Sequence, residues 1–129
     1  MRYRTLPRGA LEKKVEQRID ELCANAGCES VHFSQARATK QSFGIPDRRY
    51  YPREGPAFWV EVKAEGGRQT ESQAAFEDRC RRCGDPYVLG GYREVLAYLI
   101  TRGLWRLPAG MAVGDVCRDP PFAGAWPRL

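Results

Sequence analysis

Residues 58–63 constrain the fold most, because apolar and polar side chains alternate along them. Successive side chains of a β-strand point to opposite faces of the sheet. One face then carries apolar side chains and the other an indole and two charges: Phe58, Val60 and Val62 against Trp59, Glu61 and Lys63. We therefore predict a strand over 58–63, in a sheet whose two faces differ in character.

Helical patterns stand on both sides of this strand. Apolar residues recur at helical spacing over about 10–26, and Gly27 follows as a C-cap. Thr70-x-x-Gln73 matches a capping box and predicts a helix from there to about Arg82. A third helix is predicted over about 92–101. Shorter strands are predicted at 31–33, 48–51 and 87–89.

The order of these elements is helix, two or three strands, helix, strand, helix. Such a mixed order predicts an α/β fold with a central mixed β-sheet flanked by helices. The 129 residues match the size of one domain. We predict a single domain over 1–129, with a core over about 10–102 and an irregular tail over 103–129. The tail is rich in Gly, Pro and isolated aromatic residues, and we expect it to lie on the core or on a partner subunit.

The charge balance favours a phosphate-rich partner. The formal net charge is +5, and Lys and Arg displace condensed counterions from nucleic acid. No apolar run approaches the ~20 residues that a membrane-spanning helix needs. We predict a cytoplasmic protein with no membrane partner.

The cysteines point to reduced thiols. Their odd count argues against a disulfide framework. Cys80-x-x-Cys83 has the spacing of zinc ligands, but a structural zinc site usually needs a second close pair. A zinc-binding structural protein is therefore only a remote alternative. The cysteines are Cys23, Cys28, Cys80, Cys83 and Cys117.

Two carboxylates and a lysine carry the candidate chemistry. Asp47 and Glu61 are hard oxygen ligands of the kind that Mg²⁺ and Mn²⁺ prefer, and the Val62 backbone carbonyl is a third oxygen donor. Lys63 shares the predicted strand face of Glu61 and can stabilise negative charge at a phosphate. A lone E-x-K pattern is more often a solvated strand face, so the weight rests on its surroundings.

Those surroundings form an ordered set of motifs. Gly44-Ile45-Pro46-Asp47, Glu61-Val62-Lys63, the Gly66–Thr70 turn and Gln73 follow one another along the chain. This order resembles the VRR-NUC family of the PD-(D/E)XK nuclease superfamily, over about residues 16–92. The resemblance implies a restriction-endonuclease-like core and a metal-dependent deoxyribonuclease.

The resemblance also implies roles for individual residues. Asp47 and Glu61 would bind the metal ion, Lys63 would be the catalytic lysine, and Gln73 would lie beside the active site or serve only as a helix cap. A glutamate of the first helix completes the set, with a water molecule between it and the metal ion. Glu16 is preferred to Glu12, because related Holliday-junction resolvases place this glutamate about eleven residues before the glycine that ends the helix.

The resemblance favours an endonuclease that cuts branched or structured DNA, including Holliday junctions, and acts as a homodimer. A flap-type or restriction-like nuclease is the alternative enzyme, and a catalytically silent nucleic-acid-binding module is the alternative of another class. Basic residues predicted to contact DNA are Arg37, Lys40, Arg48, Arg49 and Arg68.

Overall fold

The computed structural model describes residues 8–33, 44–63, 67–106 and 109–110. The order of helices and strands within them is the one that the sequence predicts. The boundaries differ by one or two residues; the first strand, for example, begins two residues earlier than predicted. The elements are α1 (Arg8–Asn25), β1 (Glu29–His32), β2 (Arg48–Tyr51), β3 (Phe58–Val62), α2 (Glu71–Cys83), β4 (Tyr87–Gly90) and α3 (Tyr92–Thr101).

The four strands form one sheet in the order β1-β2-β3-β4. The first three strands pair antiparallel, and β4 pairs parallel to β3. A parallel pair needs a long crossover connection, and α2 lies within the connection between β3 and β4. The predicted α/β fold with a mixed sheet and flanking helices is confirmed.

The apolar core lies on the side of the sheet that faces α1 and α3. Phe58 and Val60 are buried on this side, as the alternation in β3 predicts, and Val62 is nearly so. They belong to one core cluster with helix residues such as Ile19 of α1 and Leu96 of α3. The opposite side of the sheet faces α2, because Phe76 of α2 contacts the Trp59 ring edge-on at a centroid distance of 5.3 Å. Trp59 therefore packs against α2.

The chain turns out of α1 through a glycine. Gly27 has a φ of 85°, a conformation that costs other residues free energy but not glycine. The Cys28 N–H then donates to the Cys23 carbonyl at 2.9 Å, which satisfies one of the carbonyls at the helix end. The predicted C-cap is thereby confirmed, and it directs the chain into β1.

The first residues of the predicted tail belong to the core. Trp105 is buried and forms part of the core cluster, and the Leu104 N–H donates to the Leu99 carbonyl at 2.8 Å. Residues 107–108 and 111–129 lie outside the described residues, so the prediction for the rest of the tail stays a prediction. In the described ranges, no helix combines the length and the apolar character that crossing a bilayer requires.

Candidate active site

The candidate site is a cavity of about 230 Å³ where α1, the segment before β2, β3 and the first turn of α2 meet. Every residue that the sequence analysis assigned to catalysis or metal binding lines it. Their chemical roles stay predictions, since the structure shows position and not activity. The lining residues are Glu16, Ile45, Asp47, Glu61, Val62, Lys63 and Gln73.

Strand β3 holds Glu61 and Lys63 in the cavity wall. Glu61 is only 7% exposed, and its Oε1 atom is sealed from solvent. The Lys63 N–H donates to the Gly90 carbonyl at 2.9 Å, so the pairing with β4 continues one residue beyond β3. This extension keeps the two side chains on the same face. Burying a carboxylate costs free energy unless polar or charged groups compensate it.

The Gly-x-Pro-Asp turn delivers the second carboxylate. Gly44 has a φ of 84°, and a Cβ built on it would collide with the backbone carbonyl of Ser72 in α2. Only glycine lets the turn approach the helix this closely. Pro46 is fully buried, and the Asp47 carbonyl accepts from the Phe33 N–H at 2.7 Å. The turn is therefore held between α2 and the end of β1, and Asp47 faces the cavity.

Glu16 reaches the cavity from α1 and is held by an arginine. Its Oε2 lies 3.5 Å from Nη2 of Arg48, whose side chain is only 11% exposed. The Arg48 Nε donates to Oδ1 of Asp20 at 3.2 Å, and its Nη2 to Oδ2 at 3.4 Å. Burial lowers the pKa of Arg48, but the hydrogen bond and charge of Asp20, with the charge of Glu16, raise it by more. The guanidinium thus stays charged and ties two carboxylates of α1 to β2.

Asp20 is a residue that the sequence analysis missed. Besides Arg48, its Oδ1 accepts from the Tyr50 hydroxyl at 2.5 Å and lies 3.2 Å from His32 Nε2. Burial raises the pKa of Asp20, yet the hydrogen bonds from Tyr50 and Arg48 and the nearby charges hold it below its ordinary value of 3.8. The available signal was its position one helical turn after Glu16, because residues four apart share a helix face.

Gln73 serves as a cap and also lines the cavity. Its Oε1 accepts from the Thr70 N–H at 2.8 Å, and its own N–H donates to Thr70 Oγ1 at 3.2 Å. This reciprocal pair is the predicted capping box. The cap uses the carboxamide oxygen, while the side chain forms part of the cavity wall. The two interpretations of Gln73 are therefore geometrically compatible.

Two of the predicted DNA-binding residues that the structure describes are engaged within the fold. Arg48 is engaged with α1, and Arg49 donates to Asp85 from both Nη atoms at 3.3 Å. Each arginine is bound by an acidic side chain that is distant in the sequence, so the sequence around positions 48 and 49 could not predict these ion pairs. Arg68 is exposed, whereas Arg37 and Lys40 lie outside the described residues. Phosphate contacts by this group stay a prediction.

The oxygen donors of the cavity suit a hard divalent cation in chemical type. In the part of the chain that the structure describes, no three His, Cys, Asp or Glu side chains group closely enough to hold an ion by themselves. Mg²⁺ is commonly bound by one or two carboxylates, with waters and substrate phosphates completing the octahedron. Asp47, Glu61 and the Val62 carbonyl match that pattern better than a cage built by protein alone.

Comparison with known proteins bears on the fold. No protein-family model and no curated protein matches the sequence. A solved structure described as a "VRR_NUC domain" is 24% identical, with a TM-score of 0.57, and the match covers 70% of this chain and 94% of that one. This chain has the VRR_NUC fold. The resemblance that the motifs indicated is thus confirmed in the architecture, and the cavity lies within this fold.

Proposed function

We propose that this chain is a metal-dependent DNA endonuclease whose active site is the cavity described above. One observation carries the proposal: Asp47, from the segment before β2, lines the same cavity within a VRR_NUC fold as Glu61 and Lys63, which come from β3 and its extension. A charge-alternating strand on its own would not require Asp47 to converge on it. The convergence therefore favours chemistry over a solvated strand face.

The protein groups have distinct roles in this proposal. Asp47, Glu61 and the Val62 carbonyl would hold Mg²⁺ or Mn²⁺, with Glu16 acting through a water molecule. The bound ion would make water more nucleophilic and neutralise charge on the phosphate. Lys63 would stabilise the negative charge that develops on the scissile phosphate. Gln73 would orient a ligand of the site through its amide end.

The proposed substrate is branched or structured DNA, including four-way junctions, and the proposed active form is a homodimer. The net charge of +5 supports a polyanionic substrate. Two active sites related by a two-fold axis would match the symmetry of a junction. Cys23, Cys28, Cys80 and Cys83 are free thiols, which supports activity in the reducing cytoplasm.

Cleavage assays on a panel of substrates test the proposal. A four-way junction, a flap, a linear duplex and a single strand are incubated with Mg²⁺, Mn²⁺ or excess chelator. We expect metal-dependent cleavage, fastest on the junction. Preference for the flap or the duplex would favour a flap-type or restriction-like nuclease. Cleavage that persists in excess chelator would overturn the metal-dependent mechanism.

Isosteric variants test whether the measured cleavage comes from the cavity or from a contaminating nuclease. Asp47→Asn and Glu61→Gln keep side-chain volume and remove charge, so each should abolish measurable cleavage while DNA binding persists. Glu54→Gln is the matched control, because Glu54 is exposed and does not line the cavity. Equal activity in all three variants would contradict the assignment. Binding without cleavage in the wild-type chain would identify a silent nucleic-acid-binding module.

A further inference from the structure

The large apolar side chains exposed in the described part of the chain form one patch. Val31, Phe33 and Tyr51 are each 40–43% exposed. Val31 pairs with Arg49, and Arg49 pairs with Trp59. Directly opposed residues of a sheet point to the same face, so the patch lies on the α2 side. The exposure of these three side chains shows that α2 does not cover the patch.

The patch rests on a connected row of π-systems. The Phe33 and Trp59 ring centroids are 5.5 Å apart. The Arg49 guanidinium lies 4.6 Å from the Trp59 centroid and 5.6 Å from that of Tyr51. Asp85 holds two members of the row in place, because its carboxylate accepts from Trp59 Nε1 at 2.9 Å and from Arg49 at 3.3 Å. Anchored side chains lose little conformational entropy when a ligand binds.

Phe33 also lies beside the candidate active site. His32 pairs with Arg48, and the Phe33 N–H donates to the Asp47 carbonyl at 2.7 Å. Phe33 and Asp47 thus continue the register by one pair, and their side chains leave the sheet on the same face. An exposed aromatic ring therefore neighbours a carboxylate that lines the cavity.

We propose that Phe33 is a stacking surface for an unpaired nucleobase of DNA bound at the cavity, with the other aromatic and guanidinium groups of the row supporting it and extending toward Tyr51. The proposal rests on the proposed nuclease function and specifies how its substrate is bound: at the branch point, a nucleotide beside the scissile phosphate is unpaired in the complex. Aromatic and guanidinium planes bind any base through its π-face, so the surface would select unpaired structure and not sequence.

The size of the patch favours a base over a second copy of the chain. Three side chains that expose about two fifths of their surface offer roughly 250 Å² in total, given that large side chains present about 150–250 Å² each. A stable protein interface needs about 800 Å² from each partner. The face of one or two bases covers the smaller area.

Binding of a fluorescent base analogue tests the proposal without cleavage. The probe is a duplex with a single-stranded extension that carries 2-aminopurine, and the matched duplex has the same base paired. Affinity and fluorescence are measured in calcium, with magnesium and manganese left out. Stacking quenches 2-aminopurine, so we expect quenching with the extension only. Phe33→Ala should abolish the quenching and weaken binding of the extension about ten- to a hundredfold, with duplex affinity unchanged.

Two further variants make the result specific to an aromatic ring. Phe33→Trp should restore quenching and affinity, because it keeps a π-face. Ser30→Ala is the matched control, since Ser30 is exposed on β1 but pairs with Tyr50 on the opposite face of the sheet from the patch, and it should bind as the wild type does. Thermal denaturation of each variant verifies that the fold is retained.

The outcomes separate this proposal from the nuclease assignment. If Phe33→Ala binds the extension as tightly as the wild type does, or binds both probes equally weakly, the stacking surface is overturned. If Phe33→Ala instead turns a dimer into a monomer in light scattering and leaves quenching intact, the patch is an interface between copies and the proposal is overturned. Ring-dependent quenching in a chain that cuts no DNA would support the surface and reject the nuclease.

Discussion

The two ends of the α2-facing side of β3 differ in where their polar groups find partners. Trp59 lies at one end and Glu61 at the other, only two residues apart. At the Trp59 end, the indole N–H donates to Asp85 at 2.9 Å, Arg49 donates to the same carboxylate, and Phe76 packs against the ring. Every one of these partners belongs to the chain.

At the Glu61 end, the same face opens into the cavity with Asp47, Lys63 and Glu16 in its wall. Three carboxylates and one ammonium group leave an excess of negative charge there. Arg48 offsets part of it through Glu16, and a cation from solution would offset more. The comparison teaches that one strand face can be divided into a part whose polar groups are bound within the fold and a part whose polar groups line a cavity.

Lys63→Ala should have the largest effect on the cleavage rate, and the change should be confined to the Glu61 end of the face. Lys63 is proposed to stabilise charge in the transition state, and such preorganised groups are worth ~3–4 kcal/mol, or on the order of a hundredfold or more in rate. Affinity for DNA should change far less. Single-turnover cleavage in magnesium and affinity in calcium measure the two quantities.

Exposed basic residues supply the controls for Lys63→Ala. Lys14 is exposed on α1, so Lys14→Ala should leave the cleavage rate unchanged. Arg37→Ala and Lys40→Ala should weaken binding and flatten its salt dependence, since a lost phosphate contact releases fewer counterions. A Lys63→Ala chain that cleaves at the wild-type rate would reduce Glu61-Val62-Lys63 to a charged strand.

Asp85→Ala should destabilise the Trp59 end of the face and leave the residues of the cavity in place. The Trp59 N–H and the Arg49 guanidinium would lose their acceptor, and an unsatisfied partly buried donor costs about 1–3 kcal/mol. The free energy of unfolding by urea should fall by about that amount. The single-turnover cleavage rate at saturating enzyme should be nearly unchanged well below the melting temperature, because Asp85 does not line the cavity. Asp78→Ala removes an ion pair in which both side chains are 69% exposed, so it should cost less than ~0.5 kcal/mol. Equal losses in both variants would contradict the comparison.

Asp20→Asn should reveal a pH-dependent contribution from the network that holds Glu16. The folded pKa of Asp20 is held below 3.8, so its ionised form stabilises the fold above that pH, and the contribution is lost as the pH falls through the folded pKa. At pH 7 we expect a loss of about 1.5–2 kcal/mol, the size of a hydrogen bond to a charged group. Urea unfolding at pH 7, 4 and 3 measures it.

The free energies of unfolding measured at low pH distinguish this charge effect from a packing defect. The difference between the wild type and Asp20→Asn should shrink below pH 4, because the wild-type carboxyl then takes up its proton. A difference that stays constant from pH 7 to pH 3 would show that the ionised carboxylate is not the source. Cleavage by the variant at pH 7 should fall only modestly, because Arg48 still contacts Glu16.

Thr70→Ala should have the smallest effect and separates the two interpretations of Gln73. Loss of the N-cap hydroxyl costs about 1 kcal/mol of stability, and the Gln73 side chain remains at the cavity. Gln73→Ala removes the cap and the cavity group together. We expect similar losses of stability from both substitutions, but slower cleavage only from Gln73→Ala. Equal cleavage rates would leave Gln73 as a cap and nothing more.

Much of the fold could be predicted from the sequence, because its signals are local. The alternation in β3, the helical spacing before Gly27 and the capping box at Thr70 each depend on residues within a few positions of one another. The structure confirms all three. The ordered motifs also selected the residues that line the cavity, although their chemical roles stay predictions.

What only the tertiary structure decided are the partners of side chains between distant segments. Arg48 reaches Asp20 across 28 positions, and Arg49 reaches Asp85 across 36. Contacts between such distant positions produce no periodic pattern in the sequence. The sequence is therefore compatible with phosphate binding by both arginines, and only the fold shows that α1 and the turn after α2 supply their partners. The sequence by itself determined which faces are apolar and which residues carry charge, because these properties belong to single residues and their near neighbours. Packing of the helices on the sheet determined which charges were neutralised within the fold and which were left facing the cavity.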